Sequence, residues 1–346
     1  STPLDYNSLV KLVTKFGEIS FNEILSRFPD SNPSIISFML NKLLEEDTIF
    51  MLNGFFYSEE FIKYKKAGLR KRKKITEKHK QVHKLIMKGY QTLSDLMGQM
   101  QVTAQNLRSI LTSLMENCLI SAKTIDSSGQ TISYKDLSLK INEEKKERMT
   151  IITEYIYSVV ESLGLINEEQ LINLIEIPGV LTKARIKDAL TRLVSSEKII
   201  SGRFIDDNLQ LYYMTKSNHE QLINFEQEYR KQPILQSDTK STLFILPPKD
   251  KGQFVLSDFF PSQFDKSSNN FIILLSNNIA AQIVGEKIKK KKLILSNVIL
   301  APWINDIKNY NYIINALETI HAFGFKDAEG LVIERVNDYN LTALVI

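Results

Sequence analysis

The chain has 346 residues, 43% of them apolar and 24% charged, with one cysteine and a formal net charge of +4. That length predicts more than one domain, the ordinary composition predicts a soluble globular protein, and a lone Cys118 excludes an internal disulfide and suits a reducing compartment. No apolar run approaches the ~18 residues of a membrane span, and the opening Ser-Thr-Pro-Leu-Asp-Tyr lacks the basic-then-apolar pattern of a signal peptide.

A location in the cytoplasm, nucleoid or nucleus is therefore expected, with no membrane partner. A start without Met suggests a trimmed or truncated chain. The charge is unevenly spread. Residues 63–84 hold eleven cations against Glu77 alone, a net of +10, so the remainder is net negative. Such a block either meets a polyanion or forms a solvated linker.

Residues 1–62 read as the first unit. Leu9, Val10, Leu12 and Val13 mark a short amphipathic helix, and Ser20-Phe21-Asn22-Glu23 is a capping box opening a second. Asn32-Pro33 starts a third, with Pro33 in its first turn and Ile36, Met39, Leu40, Leu43 and Leu44 as its buried stripe. Two short strands flank Asn53-Gly54, a strong hairpin signal. Three helices and a hairpin predict a winged helix, a variant of the helix-turn-helix. Its third helix carries one base, Lys42, beside Glu45, Glu46 and Asp47, which suits packing better than a major groove.

Residues 63–147 read as the basic linker and a second winged helix. Thr92 and Thr103 open its second and third helices, with Leu107, Ile110, Leu111, Leu114 and Met115 turned inward. Asp126-Ser127-Ser128-Gly129 turns a longer wing. Arg108, Lys123 and Lys135 give it a moderate basic supply. Residues 142–148 are a charged run, either linker or helix start.

Residues 148–232 read as a third winged helix with an exit helix over 216–231. Ile151, Ile152, Tyr155, Ile156, Val159 and Leu163 make its first helix, Asn167 opens the second and Pro178-Gly179 breaks it. Thr182 can cap the third. Ile186, Ala189, Leu190, Leu193 and Val194 form that helix's apolar stripe, while Lys183, Lys187 and Arg192 point away from it and Arg185 lies beside it with a stem long enough to reach solvent. Two strands around Asp206-Asp207-Asn208 complete the hairpin.

From 233 to 346 short strands replace the helical period, at 242–246, 253–256, 271–276, 279–286 and 293–296. A helix over 310–323 and a closing strand pair around Asn337-Asp338 follow. This predicts a β-rich α+β domain, partly barrel-like. The fold class expected is thus mainly α with an α+β C-terminus: three tandem winged-helix domains followed by a β-rich α+β domain.

The Gly202-Arg203-Phe204 strand within 200–222 resembles the winged-helix exit of Lhr-type DNA helicases. Residues 271–290 look like their following hairpin, with Asn277-Asn278 where an Asp-Gly turn usually sits. Residues 330–346 are similar to their terminal strand pair, with Glu334-Arg335-Val336-Asn337 at the most recognisable spot. The resemblance implies tandem winged helices ahead of a β-rich domain, an arrangement also found in AlkZ/YcaQ-type DNA glycosylases. A P-loop motif is missing, so no ATPase motor is encoded in this chain.

These residues predict a nucleic-acid-binding protein acting in DNA repair or nucleic-acid processing. DNA or RNA would be the ligand, and a helicase or repair protein a further partner. The expected contacts are Arg70, Lys71, Arg72, Lys73, Lys74 and Arg108, with Lys183, Arg185, Lys187 and Arg192 on the third unit's third helix and Arg203 in its wing. No metal and no cofactor is expected, and an enzyme is the lesser alternative, a DNA glycosylase in that case. A protein-interaction scaffold is the other alternative.

Several residues carry chemistry only weakly. The glycosylase relatives position a water with a Gln-X-Gln or Gln-X-Asp motif, and Gln99-Met100-Gln101 matches the first form, but in a turn where the family's motif does not belong. His79 and His83 share a helix face without a third ligand. Cys118 reads as a buried small hydrophobe. Asp258, Asp265, Asp306 and Glu334 are acids that nothing ranks. Lys289–Lys292 reads as a solvated turn, and Trp303 as packing.

Overall fold

The structure is a computed structural model that describes residues 4–28, 31–70, 72–137, 147–203, 210–231, 243–248, 250, 253, 270–275, 278–304, 307–324 and 328–345. One element order recurs along its first two thirds. The first occurrence runs α1 (Tyr6–Phe16), β1 (Glu18–Ser20), α2 (Phe21–Arg27), α3 (Pro33–Glu45), β2 (Phe50–Leu52) and β3 (Phe55–Tyr57), with sheet order β1-β3-β2. A further helix, α4 (Glu59–Lys66), follows, capped by Ser58. The second occurrence runs α5 (Glu77–Met87), α6 (Leu93–Gln99), α7 (Ala104–Glu116), β4 (Ile120–Ile125) and β5 (Thr131–Asp136). A lone bridge between Thr92 and Ser133 stands where β1 stands in the first. The third runs α8 (Arg148–Leu163), β6 (Ile166–Asn167), α9 (Glu168–Ile175), α10 (Lys183–Ser195), β7 (Ile199–Gly202) and β8 (Tyr212–Thr215), with order β6-β8-β7, and leads into α11 (Lys216–Lys231).

The repeats share their turns as well as their order. Helices α3, α7 and α10 each end two residues before a non-glycine residue of positive φ: Asp47 at 58°, Cys118 at 55° and Glu197 at 55°. The next amide then reaches back to the helix, from Thr48 to Leu43, Leu119 to Leu114 and Lys198 to Leu193, each at 3.0 Å. This is a Schellman stop, which satisfies carbonyls the helix end would leave orphaned. Glycine is the usual occupant of such a turn, and its absence hides the motif from a search for glycine.

By proximity the chain divides into two units, Ser1–Phe21 with Ser31–Ile223, and Asn22–Asp30 with Asn224–Ile346. Within the first unit one continuous apolar core runs from Phe50 and Phe61 through Leu107 and Leu114 to Ile152, Leu190 and Tyr213. The repeats therefore do not fold as separate beads. Phe61 and Tyr64 of α4 meet Tyr155 of α8 edge to face, with ring centroids 5.7 and 5.6 Å apart, a geometry that suits the aromatic quadrupole. Gly17, the C-cap of α1, sits at φ 68°, and a Cβ there would lie 2.0 Å from the Phe61 ring, so only glycine fits.

The second unit holds a six-stranded sheet of β9 (Leu243–Leu246), β10 (Phe271–Leu275), β11 (Asn278–Lys289), β12 (Lys292–Leu300), β13 (Gly330–Val336) and β14 (Tyr339–Val345). Its order is β14-β13-β12-β11-β10-β9. Among the described strands this is an open ladder with β9 and β14 at its edges, rather than the partial barrel expected from sequence. Strands β12 and β13 pair in parallel, which requires a crossover, and α12 (Ile307–Gly324) supplies it. Ile313, Ala316, Leu317 and Ile320 recur at helical spacing along α12 and are buried in the core with Ile273, Ile283, Leu295 and Ile333. In the same unit the Nη2 of Arg27 donates to both oxygens of the fully buried Asp250, at 3.2 and 3.1 Å, so that charge is paired rather than stranded. The fold is thus α+β. The expected strand at 253–256 lies outside the described residues except for Gln253. No described helix is long and apolar enough to cross a membrane.

Candidate nucleic-acid interface

Helix α10 separates its two faces cleanly. Ile186, Ala189, Leu190 and Leu193 are buried, Val194 is half-buried, and Lys183, Arg185, Lys187 and Arg192 are exposed. Thr182 occupies the N-cap with extended backbone but makes no side-chain capping bond, contrary to expectation. The four cations are not equivalent. Lys187 is held by Glu168 at 2.6 Å, and Arg192 by Asp188 at 3.2 Å one turn away. Arg185 donates through Nη1 to the Val180 carbonyl at 2.6 Å, which orients it and leaves four N–H donors. Lys183 has no ion-pair partner among the described residues.

The basic segment is also partly committed to the fold. Arg70 turns back onto the end of α4, donating to the Lys65 carbonyl and, at 3.1 Å, to that of Lys66. Lys73 lies 3.7 Å from Glu116, and Arg72 and Lys74 are exposed. Lys71 lies outside the described residues. In the second repeat Arg108 is exposed. Lys123 donates to Gln91 at 2.9 Å. Lys135 is buried against the Leu44 carbonyl and Asp47, so it acts inside the protein. Arg203 is exposed, but Phe204 and the turn at 206–208 lie outside the described residues.

Sequence-distant arginines lie around Arg148. Arg148, the first residue of α8, donates to the carbonyls of Ala67 at 2.7 Å and Gly68 at 3.2 Å, just beyond α4. A Cβ on Gly68 would sit 3.1 Å from Nη1 of Arg148 and 3.5 Å from Nη2 of Arg72. Partial burial, then the nearby charges of Arg185 and Arg72, push the Arg148 pKa below the usual arginine value. Two of the expected residues, Arg72 and Arg185, thus each lie near a third, Arg148, that sequence reasoning missed. Its one local signal was its place as the last base of a charged run ahead of an apolar-periodic helix.

The remaining candidates resolve more simply. His79 sits at the start of α5, its Nδ1 2.7 Å from the Thr76 hydroxyl, while His83 pairs with Asp136 at 2.7 Å. No group of three metal-ligating side chains occurs among the described residues. Burial pushes the Cys118 thiol up, which keeps it inert. Gln99, Met100 and Gln101 border a shallow depression of about 580 Å³ lined by Met97 to Thr103, between α6 and α7. Glu334 lies 3.5 Å from Lys287, and Asp258, Asp265 and Asp306 lie outside the described residues. Lys290 and Lys291, with φ of 51° and 60°, form the two-residue turn between β11 and β12. Trp303 donates its indole N–H to the Ile279 carbonyl at 3.0 Å. In the first repeat α3 exposes Ile35 and Phe38, at 53% and 67%, and Lys42 lies over the Tyr6 ring.

No protein-family model matches the chain, and no curated protein does. Among solved structures the Streptomyces sahachiroi DNA glycosylase AlkZ is similar, with a TM-score of 0.48 and 10% sequence identity over 96% of this chain and 98% of that one.

Proposed function

We propose that the three repeats are tandem winged helices and that the protein binds nucleic acid through the third of them, in DNA repair or nucleic-acid processing. The observation that carries this reading is the outer face of α10, where Lys183 and Arg185 stand exposed opposite a buried stripe. A winged helix presents its third helix to a groove and its wing to the backbone, and cations so placed contact phosphates, giving affinity rather than sequence choice. The setting in repair or processing rests on the resemblance of 200–222 and 330–346 to the Lhr-type tail.

Charge reversal at Lys183 tests it. Lys183→Glu should weaken duplex binding about ten-fold while leaving the melting curve in place, because Lys183 is exposed and unpaired among the described residues. Equal binding by the variant would refute the assignment of α10.

A second reading has its own support. Ile35 and Phe38 on the outer face of α3 are apolar and open, where a groove-reading helix would carry bases. The first winged helix then holds a protein, not DNA. Under this reading Phe38→Ser abolishes capture of a protein partner without altering duplex affinity.

A further inference from the structure

The binding reading leaves open where the nucleic-acid backbone is held. We propose that Arg72, Arg148 and Arg185 form one phosphate site that grips a backbone phosphodiester, joining the basic segment to the third repeat. The inference rests on the nucleic-acid reading above and adds a place to it.

The geometry supports it in three ways. The arginines come from three separate stretches: the segment after α4, the first residue of α8 and the first turn of α10. Like charges drawn this close repel unless something offsets them. No carboxylate among the described residues makes an ion pair with any of the three, whereas Lys73, Lys187 and Arg192 nearby in sequence all have one. The neighbouring acid, Glu147, is exposed and makes no capping bond to α8. An anion bound between them would offset that repulsion.

The site is also prepared in advance. Carbonyls of Ala67 and Gly68 fix the Arg148 guanidinium, and the Val180 carbonyl fixes that of Arg185. Each keeps further N–H donors for a ligand, in the planar array that matches phosphate oxygens. Gly68 keeps the floor clear: its φ is 99°, and a side chain there would press on Arg148. The first-turn amides of α8 begin at the same residue, so the helix dipole adds to the attraction for an anion.

The test compares the wild-type chain with Arg72→Gln/Arg185→Gln on a fluorescein-labelled DNA duplex, over a salt series from about 50 to about 200 mM. Arg148 stays intact because it also holds the Ala67 and Gly68 carbonyls. A control, Lys11→Gln/Lys15→Gln, removes the same charge from exposed positions on α1. Circular dichroism melts show whether each variant keeps the fold. The double arginine variant should lose about ten-fold in affinity at the low-salt end. Its slope of log affinity against log salt should shrink by roughly one, with the control near wild type. A variant that matches wild type in affinity and slope overturns the phosphate site and leaves the binding reading on Lys183, which Lys183→Glu tests separately. A control that falls as far as the arginine variant overturns it too, since total charge then explains the loss. A wild-type chain that binds no duplex at low salt removes the binding reading and this inference with it.

Discussion

Asn41 and Ile125 bond to each other twice: Nδ2 of Asn41 donates to the Ile125 carbonyl at 2.9 Å, and its Oδ1 accepts from the Ile125 N–H at 2.7 Å. The third helix of the first repeat is thereby fastened to the first hairpin strand of the second. Lys135 reinforces the seam from β5, reaching the Leu44 carbonyl and Asp47. Helix α3 is thus partly a joint between repeats, in keeping with its poverty in bases.

Removing that joint should be felt in stability. Ile125 is only 2% exposed, so Asn41→Ala leaves a buried N–H and carbonyl without their partner, at a cost of about 1–3 kcal/mol. Urea unfolding of the full chain should show the midpoint fall with little change in slope. Duplex affinity should stay constant, since Asn41 lies on the seam.

The shared Schellman stop makes a second prediction. Glu197 is exposed with φ 55°, a region where a β-branched residue is strained. Glu197→Val should destabilise by about 1–2 kcal/mol, while Glu197→Gly should be neutral or stabilising. Chemical denaturation of the two variants side by side decides it. Equal effects would mean the turn does not hold this conformation in solution.

Glu286 gives a pH-dependent outcome. Burial raises its carboxyl pKa above the ordinary value. A raised folded pKa favours the neutral form in the fold, so its contribution is full below the unfolded pKa and is lost as pH rises through the folded one. Glu286→Gln, which stays neutral, should raise the melting temperature at neutral pH and change it little at about pH 4. Thermal melts of wild type and variant at both pH values test the sign.

The ion pairs on α10 rank its cations. Lys187 and Arg192 each have a carboxylate partner, which offsets part of their charge toward a ligand. Lys187→Gln and Arg192→Gln should therefore each weaken duplex binding less than Lys183→Gln, as read by anisotropy titration at one salt concentration. A larger loss at Lys187 or Arg192 would mean those pairs open on binding.

Local pattern carried much of this fold. Asn32, Thr92, Thr103 and Asn167 stand at helix starts as their side chains predict, the exit helix spans Lys216–Lys231, and the strand-rich pattern beyond 240 corresponds to the sheet of the second unit. Those features depend on neighbours a few residues away. Helix α4 escaped notice because Lys63, Lys65 and Lys66 made its stretch look like a solvated block, although Phe61, Ile62 and Tyr64 are buried. The buried role of Lys135, the inward turn of Arg70 and the place of Arg148 depend on partners elsewhere in the fold. For Lys135 and Arg148 those partners lie some 80 to 90 positions away. Periodicity along one element does not record which distant carbonyl a long cation will find.

The most direct test of the central claim is an equilibrium titration of the wild-type chain against labelled duplex DNA at about 50 and about 200 mM salt. Binding should saturate at the lower salt and fall steeply at the higher, from counterions released as Lys183, Arg185 and their neighbours neutralise phosphates. No binding at the lower salt, or binding indifferent to salt, would contradict it.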